Sequence, residues 1–93
     1  MENGNIIGEL RAMELKDTIE MMCSPDYKER FKAEICQLDI RIGKLANMLS
    51  TWQAGDLCFK PKCSYDLLEA QLNSMKVYRH FLQVRAEIEG VAL

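Results

Sequence analysis

The sequence predicts an all-α protein in which a short N-terminal helix precedes a long antiparallel helical hairpin. The first observation is a row of apolar residues whose spacing alternates between four and three: Phe31, Ile35, Leu38, Ile42, Leu45, Leu49 and Trp52. This spacing is a heptad seam, a narrow apolar stripe along one helix. The second is a helical pattern over residues 64–89, which supplies a partner for that stripe. The third is the small size of the chain, which favours assembly into a homo-oligomer.

Length and composition limit the classes of function. The 93 residues are expected to form a single domain, residues 1–93, with 48% hydrophobic residues and no apolar run long enough to span a membrane. The net charge of −2, from 12 basic and 14 acidic side chains, argues against binding to duplex nucleic acid. The first residues lack the basic and apolar regions of a signal peptide, so we expect a cytoplasmic protein.

Residues 1–23 are expected to form an N-terminal arm that contains a helix from Ile6 to Met22. Its apolar residues drift around the helix and do not form one stripe. The segment is therefore either a docking helix that lies across a neighbouring element or an arm that reaches onto another protomer. The pliable methionines of this segment suit both alternatives: Met13, Met21 and Met22.

A helix is predicted from residue 24 to residue 52. Ser24 is a favourable N-cap, Pro25 fits the first helical position, and Asp26 complements the helix dipole. Gly43 lies in the middle of this helix, where glycine lowers stability. We therefore expect another element, such as a facing helix, to approach the backbone closely at Gly43.

A loop over residues 53–63 is expected to join the two long helices. Leu57 and Phe59 should fold back against Trp52 as a small apolar plug, which is a commoner role for such residues than ligand binding.

The chain contains the cysteines Cys23, Cys36, Cys58 and Cys63. Without a secretory signal, reduced thiols are the expected state, with a Cys58–Cys63 disulfide as the alternative in an oxidised sample. The spacing of those two residues differs from the close C-x-x-C pairs of zinc sites. We predict neither a metal site nor a cofactor.

A second long helix is predicted over residues 64–89, with Ser64 as its N-cap and Gly90 as its stop. It carries two apolar stripes, which together cover a wider arc than one neighbour needs. The first is expected to close onto the heptad seam: Leu68, Leu72, Met75, Tyr78, Leu82 and Ala86. The second is the predicted interface of the homo-oligomer, with the N-terminal helix as the alternative cover: Val77, Phe81, Val84 and Ile88.

No catalytic motif is found, so we predict that the protein is not an enzyme. In the predicted hairpin, Phe31, Lys28 and Lys32 lie close to Arg85 and Glu89, at the end away from the loop. Tyr27 lies beside them. An aromatic ring beside cations can stack a base and neutralise a phosphate. The alternative is an ordinary solvated helix end with an Arg85–Glu89 pair, which is the usual role of a charged helix face.

Residues 27–93 resemble a known family. The layout is Tyr27-x-x-x-Phe31, then Ala54-Gly55-x-Leu57-x-Phe59-x-Pro61-x-Cys63, and then Leu67-Leu68-x-x-Gln71 with Met75, Tyr78, Leu82 and Val84-Arg85-Ala86-Glu87-Ile88. This layout resembles a family of small proteins of tailed and crAss-like phages. More distantly, the order of one short and two long helices is similar to the phage anti-CBASS sponge proteins. Those are helical hexamers in which a glutamine, an apolar residue and an arginine recur along the last helix, as Gln71, Met75, Leu82 and Arg85 do here.

The resemblance implies a phage anti-defence protein that acts in the host bacterial cytoplasm. It would be a homo-oligomer, with the hexamer as the assembly of the similar proteins, and would sequester cyclic di- or trinucleotides at protomer interfaces without cleaving them. Lys32 and Arg85 would contact phosphates, Tyr27 would stack a base, and Lys28 would lie beside them. The alternative is a helical protein–protein interaction module that binds a host or phage protein and no nucleotide.

Overall fold

The structure is a computed structural model, and it describes residues 13–93. A single 3-10 turn, Leu15–Thr18, leads into α1 (Ile19–Met22), which is followed by the long helices α2 (Tyr27–Gln53) and α3 (Tyr65–Glu89). No strand occurs in residues 13–93. The all-α class predicted from the sequence is therefore confirmed.

The predicted helix from Ile6 to Met22 is confirmed only in part. Leu15–Met22 is helical, first as the 3-10 turn and then as α1, whereas Met13 and Glu14 are not helical. Residues 6–12 lie outside the described residues. Glu14 has an extended backbone, with φ −126° and ψ 169°, and acts as the N-cap of the 3-10 turn. The Glu14 N–H donates a hydrogen bond of 2.8 Å to Asp17 Oδ2. This local cap starts a new turn at Leu15, so no continuous helix reaches Met22 from Met13.

Thr18 anchors this N-terminal segment to α2. Its side chain is fully buried, and its hydroxyl donates a hydrogen bond of 2.7 Å to the Leu15 carbonyl oxygen. The same hydroxyl oxygen accepts a hydrogen bond of 2.9 Å from Gln37 Nε2 on α2. The buried hydroxyl is thus satisfied, which avoids the free-energy penalty of an unpaired polar group.

The start of α2 differs from the prediction in the identity of its cap. Asp26, and not Ser24, is the N-cap: its carboxylate accepts a hydrogen bond of 2.9 Å from the Lys28 N–H. The Ser24 hydroxyl oxygen accepts a bond of 3.1 Å from the Asp26 N–H, which shapes the turn just before the helix. Both residue types cap well, and the helix begins after the one whose backbone stays extended.

The heptad seam of α2 packs against α3. Phe31, Ile35, Leu38 and Leu49 are buried, whereas Ile42, Leu45 and Trp52 are half-buried. The main cluster combines α2 residues with Leu82 and Ala86 of α3 and with one residue beyond it: Phe31, Ile35, Leu38, Leu82, Ala86 and Val91. Ile42 and Met75 pack against its edge.

Contacts between α2 and α3 run in opposite order along the two helices. Lys28, near the start of α2, reaches Gly90 just beyond α3, and Asp39 bonds to Arg79 in the middle of both helices. The Trp52 and Tyr65 rings meet at the far end, with a centroid separation of 5.5 Å. One end of the pair therefore holds the start of α2 and the end of α3, and the connecting loop lies at the other.

The predicted boundaries of α3 are confirmed by its caps. The Ser64 hydroxyl oxygen accepts a hydrogen bond of 3.1 Å from the Leu67 N–H. At the other end Gly90 takes the left-handed conformation, with φ 71°, and the Val91 N–H donates a bond of 2.8 Å to the Ala86 carbonyl oxygen. This stop turns the chain so that Val91 enters the core.

The close approach predicted at Gly43 is not made by any described element. A Cβ atom built there would meet nothing within 4 Å, so packing among residues 13–93 does not require glycine at this position. A further property concerns membranes: none of the described helices combines the length and the apolar character that crossing a bilayer requires.

Candidate functional site

The end where α2 starts and α3 finishes contains the residues predicted to bind ligand. Tyr27 and Lys28 form the first turn of α2, Lys32 follows one turn later, and Arg85 lies in the last two turns of α3. We call these four residues the polar cluster. Two links show how it is joined: Lys28 Nζ lies 3.2 Å from the Gly90 carbonyl oxygen, and Arg85 lies over Phe31.

Arg85 has the most defined geometry in the polar cluster. Its guanidinium carbon lies 4.9 Å from the centroid of the Phe31 ring, a cation–π arrangement. Its Nε donates a hydrogen bond of 2.9 Å to Glu89 Oε2, one turn later on the same helix. The hydrogen bond to Glu89 is the main cause that raises the pKa of Arg85, with smaller electrostatic effects from Glu34 and Tyr27. Arg85 is therefore a permanent cation whose plane is held by a ring below it and a carboxylate beside it.

The two lysines each have a partner of their own. Lys28 Nζ donates to the Gly90 carbonyl oxygen, one of the acceptors left unpaired where α3 ends. Lys32 Nζ lies 3.3 Å from Glu29 Oε1 and so forms an ion pair within α2. Lys28 therefore contacts the residue that follows α3, whereas Lys32 pairs with a residue of its own helix, α2.

Tyr27 presents an aromatic ring at the surface. It lies in the first turn of α2, and it is 47% exposed. Deeper along the helix pair, the Tyr78 hydroxyl hydrogen-bonds to Glu34, a residue that also affects the Arg85 pKa. An exposed ring and a guanidinium at the same end of a helix pair are groups that can stack a planar ligand and bind an anion.

The sequence prediction placed Phe31 and Glu89 close to Arg85, but it did not include the cation–π contact between Phe31 and Arg85 or the pairing of Glu29 with Lys32. Glu29 and Glu89 each pair with one of its cations. The Arg85–Glu89 spacing of four residues signals such a pair in the sequence, and the structure contains it. An incoming phosphate would have to compete with these carboxylates for Lys32 and Arg85.

An exposed apolar row borders the polar cluster on α3. Val77, Phe81, Val84 and Ile88, the predicted oligomer interface, are between 38% and 79% exposed. The row continues towards the start of α3 through exposed Ser74 and Ala70 to exposed Leu67, again at alternating spacings of three and four. It therefore has the pattern of a second heptad seam, which the sequence prediction recognised only in its second half.

The cysteines are all free thiols in the structure. Cys23, Cys58 and Cys63 are exposed, and Cys36 is half-buried. Burial of its side chain, together with the nearby charge of Asp39, raises the pKa of the Cys36 thiol. Within residues 13–93, no group of His, Cys, Asp and Glu side chains is arranged to hold a metal ion.

Two concave regions lie away from the polar cluster. The larger, of about 790 Å³, runs along α2, and its described lining contains one cation and no aromatic ring: Met13, Cys36, Asp39, Ile40, Gly43, Lys44 and Asn47. The smaller, of about 260 Å³, lies at the loop end. There Leu57 and Phe59 do approach Trp52, but the predicted apolar plug is wrong, because Phe59 remains 55% exposed and the residues surround a pocket.

The fold and the polar cluster define a small helical protein with an aromatic–cationic surface next to an apolar row that residues 13–93 leave exposed. A family model described as Sequestin matches residues 25–88, so this chain belongs to the Sequestin family. The match spans α2, the loop and nearly all of α3, and it includes every residue of the polar cluster. No curated protein and no solved structure matches the chain significantly. The family name is compatible with sequestration of a ligand.

Proposed function

We propose that this protein sequesters a small nucleotide signal, with cyclic di- and trinucleotides as the specific ligands. The observation that carries the proposal is the position of Arg85 over the Phe31 ring, at the same end of the helix pair as the exposed ring of Tyr27. Membership of the Sequestin family supports retention of a small ligand. The resemblance to phage anti-CBASS sponge proteins supplies the rest of the proposal: a phage protein that acts against a bacterial defence in the host cytoplasm.

In this proposal each residue of the polar cluster has a separate role. The Tyr27 ring stacks against a base, and Arg85 donates hydrogen bonds to a phosphate in place of its bond to Glu89. Lys32 contacts a phosphate by releasing Glu29, and Lys28 adds positive charge at the junction of the helices. Binding therefore exchanges two ion pairs within the protomer for contacts to phosphates, and the loss of those ion pairs offsets part of the free energy gained.

The proposal includes an antiparallel helical hairpin that assembles into a homo-oligomer. The opposite order of contacts along α2 and α3 supports the hairpin. The exposed heptad row on α3 supports assembly, because a contiguous apolar row on a small protein usually marks an interaction surface. Arg85 directly follows Val84 and lies three residues before Ile88, so an interface formed by the row would bring a second protomer to the edge of the polar cluster. Because Arg85 would then lie at the edge of that interface, the proposal puts the ligand sites at the protomer interfaces.

The ligand is held and not cleaved in this proposal. The polar cluster offers an aromatic ring and cations that neutralise charge. Stabilising a phosphate in this way lowers the free energy of the bound ligand without supplying a nucleophile. Incubation followed by denaturation and chromatography should therefore return the added nucleotide intact, and accumulation of a cleaved product would contradict the proposal.

Calorimetric titration tests the ligand directly. Cyclic dinucleotides and cyclic trinucleotides are titrated into the protein, with ADP-ribose as the non-cyclic comparator. Saturable heat with a cyclic ligand, and a thermal shift with the same compound, is the expected result. Binding of ADP-ribose alone would keep sequestration but overturn the assignment to cyclic oligonucleotides. No heat with any compound would overturn nucleotide sequestration.

The exposed row also favours a second candidate, a protein–protein interaction module. In that function Val77, Phe81, Val84 and Ile88 bind an apolar face of a host or phage protein, and no nucleotide is involved. Recovery of one stoichiometric protein partner, together with no nucleotide-dependent shift, would favour this candidate. Loss of that partner in Phe81→Glu would place the contact on the row.

A further inference from the structure

A pocket lies at the loop end of the helix pair, opposite the polar cluster. Its volume is about 260 Å³, and its described lining residues are Trp52, Gly55, Leu57, Phe59, Lys60 and Pro61. Gly55, just beyond the end of α2, takes the left-handed conformation, with φ 81°. Its N–H donates a hydrogen bond of 2.9 Å to the Trp52 carbonyl oxygen, and the Asp56 N–H donates a hydrogen bond of 3.0 Å to the Thr51 carbonyl oxygen. This turn directs the loop back towards the Trp52 indole.

Two aromatic rings form the apolar part of this pocket in different ways. The Trp52 indole packs edge-to-face against Tyr65, with an interplanar angle of 77°, so its orientation is fixed by the start of α3. Phe59 is 55% exposed and lies on the loop. One held ring and one solvent-exposed ring provide contact surface for a flat ligand.

The charge of the pocket comes from Lys60. It is the one charged residue among the described lining residues, and it forms no ion pair within residues 13–93. Lys32 and Arg85 of the polar cluster differ, because each is paired with a carboxylate. The loop-end pocket therefore presents aromatic surface together with an ammonium group that no described carboxylate neutralises, which is complementary to an aromatic ligand that carries an anion.

We propose that the loop-end pocket binds a nucleoside monophosphate, with the base against Trp52 and Phe59 and the phosphate on Lys60. Its 260 Å³ fall below the roughly 300–1,000 Å³ of pockets that enclose a drug-sized ligand, so one base fits and a whole cyclic oligonucleotide does not. This site is separate from the polar cluster and does not depend on the function proposed for it.

Tryptophan fluorescence tests this site selectively, because Trp52 is the single tryptophan of the chain. AMP is titrated into the full-length protein with excitation at the red edge of the indole band, and N-acetyltryptophanamide corrects for absorption. The expected result is a saturable change in Trp52 emission, with a weaker effect from adenosine because it lacks the phosphate. The single indole N–H signal in an NMR spectrum should shift in the same titration.

Substitutions on the loop make the test specific. Phe59→Ala should raise the half-saturating AMP concentration roughly fivefold or more, the loss expected when one base–aromatic contact is removed. Lys60→Ala should raise it roughly threefold, as for an exposed charge pair. Lys62→Ala is the matched control, since Lys62 lies on the same loop but outside the pocket lining, and it should leave the titration unchanged.

Three outcomes would overturn the proposal. The first is the absence of a saturable response in both emission and the indole N–H signal. The second is an equal loss of affinity in Lys60→Ala and Lys62→Ala, which would indicate unspecific attraction to a basic loop. The third is loss of the Trp52 response in Arg85→Ala, which would place the ligand at the polar cluster. An unchanged Trp52 response in that variant would separate the two sites.

Discussion

The two apolar faces of α3 have similar composition and opposite surroundings. On one face Leu72, Leu82 and Ala86 are buried against α2. On the other Val77, Phe81, Val84 and Ile88 remain exposed. Both faces repeat at helical spacing, so spacing alone does not determine burial. The difference is that α2 supplies one heptad seam, which can cover only one face.

The comparison suggests that the buried face carries the stability of the protomer and the exposed face its interactions. The polar cluster lies at the boundary: Arg85 is next to Ala86 of the buried face and next to Val84 of the exposed face. In the proposed function, a ligand at Arg85 would therefore lie beside any partner that packs on the row.

The largest expected effect is on the buried face. Leu82 is 1% exposed, so Leu82→Ala should lower the free energy of unfolding by about 2–5 kcal/mol. Because the total free energy of unfolding of a native protein is only about 5–15 kcal/mol, this substitution removes a large part of the stability. Urea unfolding followed by circular dichroism measures it. Leu93→Ala is the same truncation at an exposed position, and an equal loss in both variants would refute the assignment of Leu82 to the core.

The next effect is on the exposed face. Phe81→Glu should leave helicity unchanged but convert the oligomer into a 10.7 kDa species in light scattering. The reason is that an unpaired charge buried in an interface is strongly destabilising, by about 3–5 kcal/mol. Phe59→Glu makes the same substitution at an exposed phenylalanine of the loop and should retain the wild-type mass. A wild-type protein that already scatters as a monomer would disprove the role of the row.

A smaller effect is expected at the boundary between the faces. Arg85→Ala should weaken binding of the nucleotide ligand roughly tenfold or more, as for loss of a charge-assisted hydrogen bond, and leave helicity intact. Arg79→Ala removes the same charge from the same helix, where the guanidinium bonds to Asp39 at 2.5 Å, and should retain binding. Calorimetric titration measures the nucleotide affinity of both variants. Equal affinities of Arg85→Ala and Arg79→Ala would show that Arg85 does not bind the ligand.

The smallest effect concerns Cys36, at the edge of the buried side of α2. Because burial raises the pKa of this thiol, the folded protein holds its proton to higher pH than the unfolded chain does. Its contribution to stability is therefore present below the unfolded pKa and is lost as pH rises through the folded pKa. Alkaline loss of stability should be weaker in Cys36→Ser.

Thiol labelling provides a second measurement on Cys36. Under reducing pretreatment, an aromatic disulfide reagent at pH 8 should react quickly with the exposed Cys23, Cys58 and Cys63 and slowly with Cys36. Cys36→Ser should abolish the slow phase. Four equal rates would show that Cys36 is as accessible as the others.

Much of the fold could be predicted because it depends on local pattern. The spacing of the seam, the Ser64 cap and the Gly90 stop are each signalled by a few residues, and each is found where predicted. The cap of α2 was misplaced because Ser24 and Asp26 are both good caps and spacing does not choose between them. The position of Val91 in the core follows from the turn at Gly90 and required the structure.

The candidate site was predictable only in outline. The sequence identifies aromatic and basic residues near one end of the helix pair, and the structure brings Tyr27, Lys28 and Arg85 there. The partners of the cations depend on side-chain geometry between helices. The register of the hairpin places Phe31 close to Arg85, but the cation–π contact between the ring and the guanidinium depends on side-chain conformation, which the heptad spacing does not determine.

Native mass spectrometry of the protein mixed with cyclic di- and trinucleotides tests whether a homo-oligomer sequesters the ligand, because one spectrum reports subunit number and bound ligand together. We expect a single assembly whose mass is a multiple of the 10.7 kDa protomer and which carries intact cyclic nucleotide. Arg85→Ala should have the same number of subunits and no bound nucleotide. A protomer of 10.7 kDa without bound nucleotide would contradict the proposal.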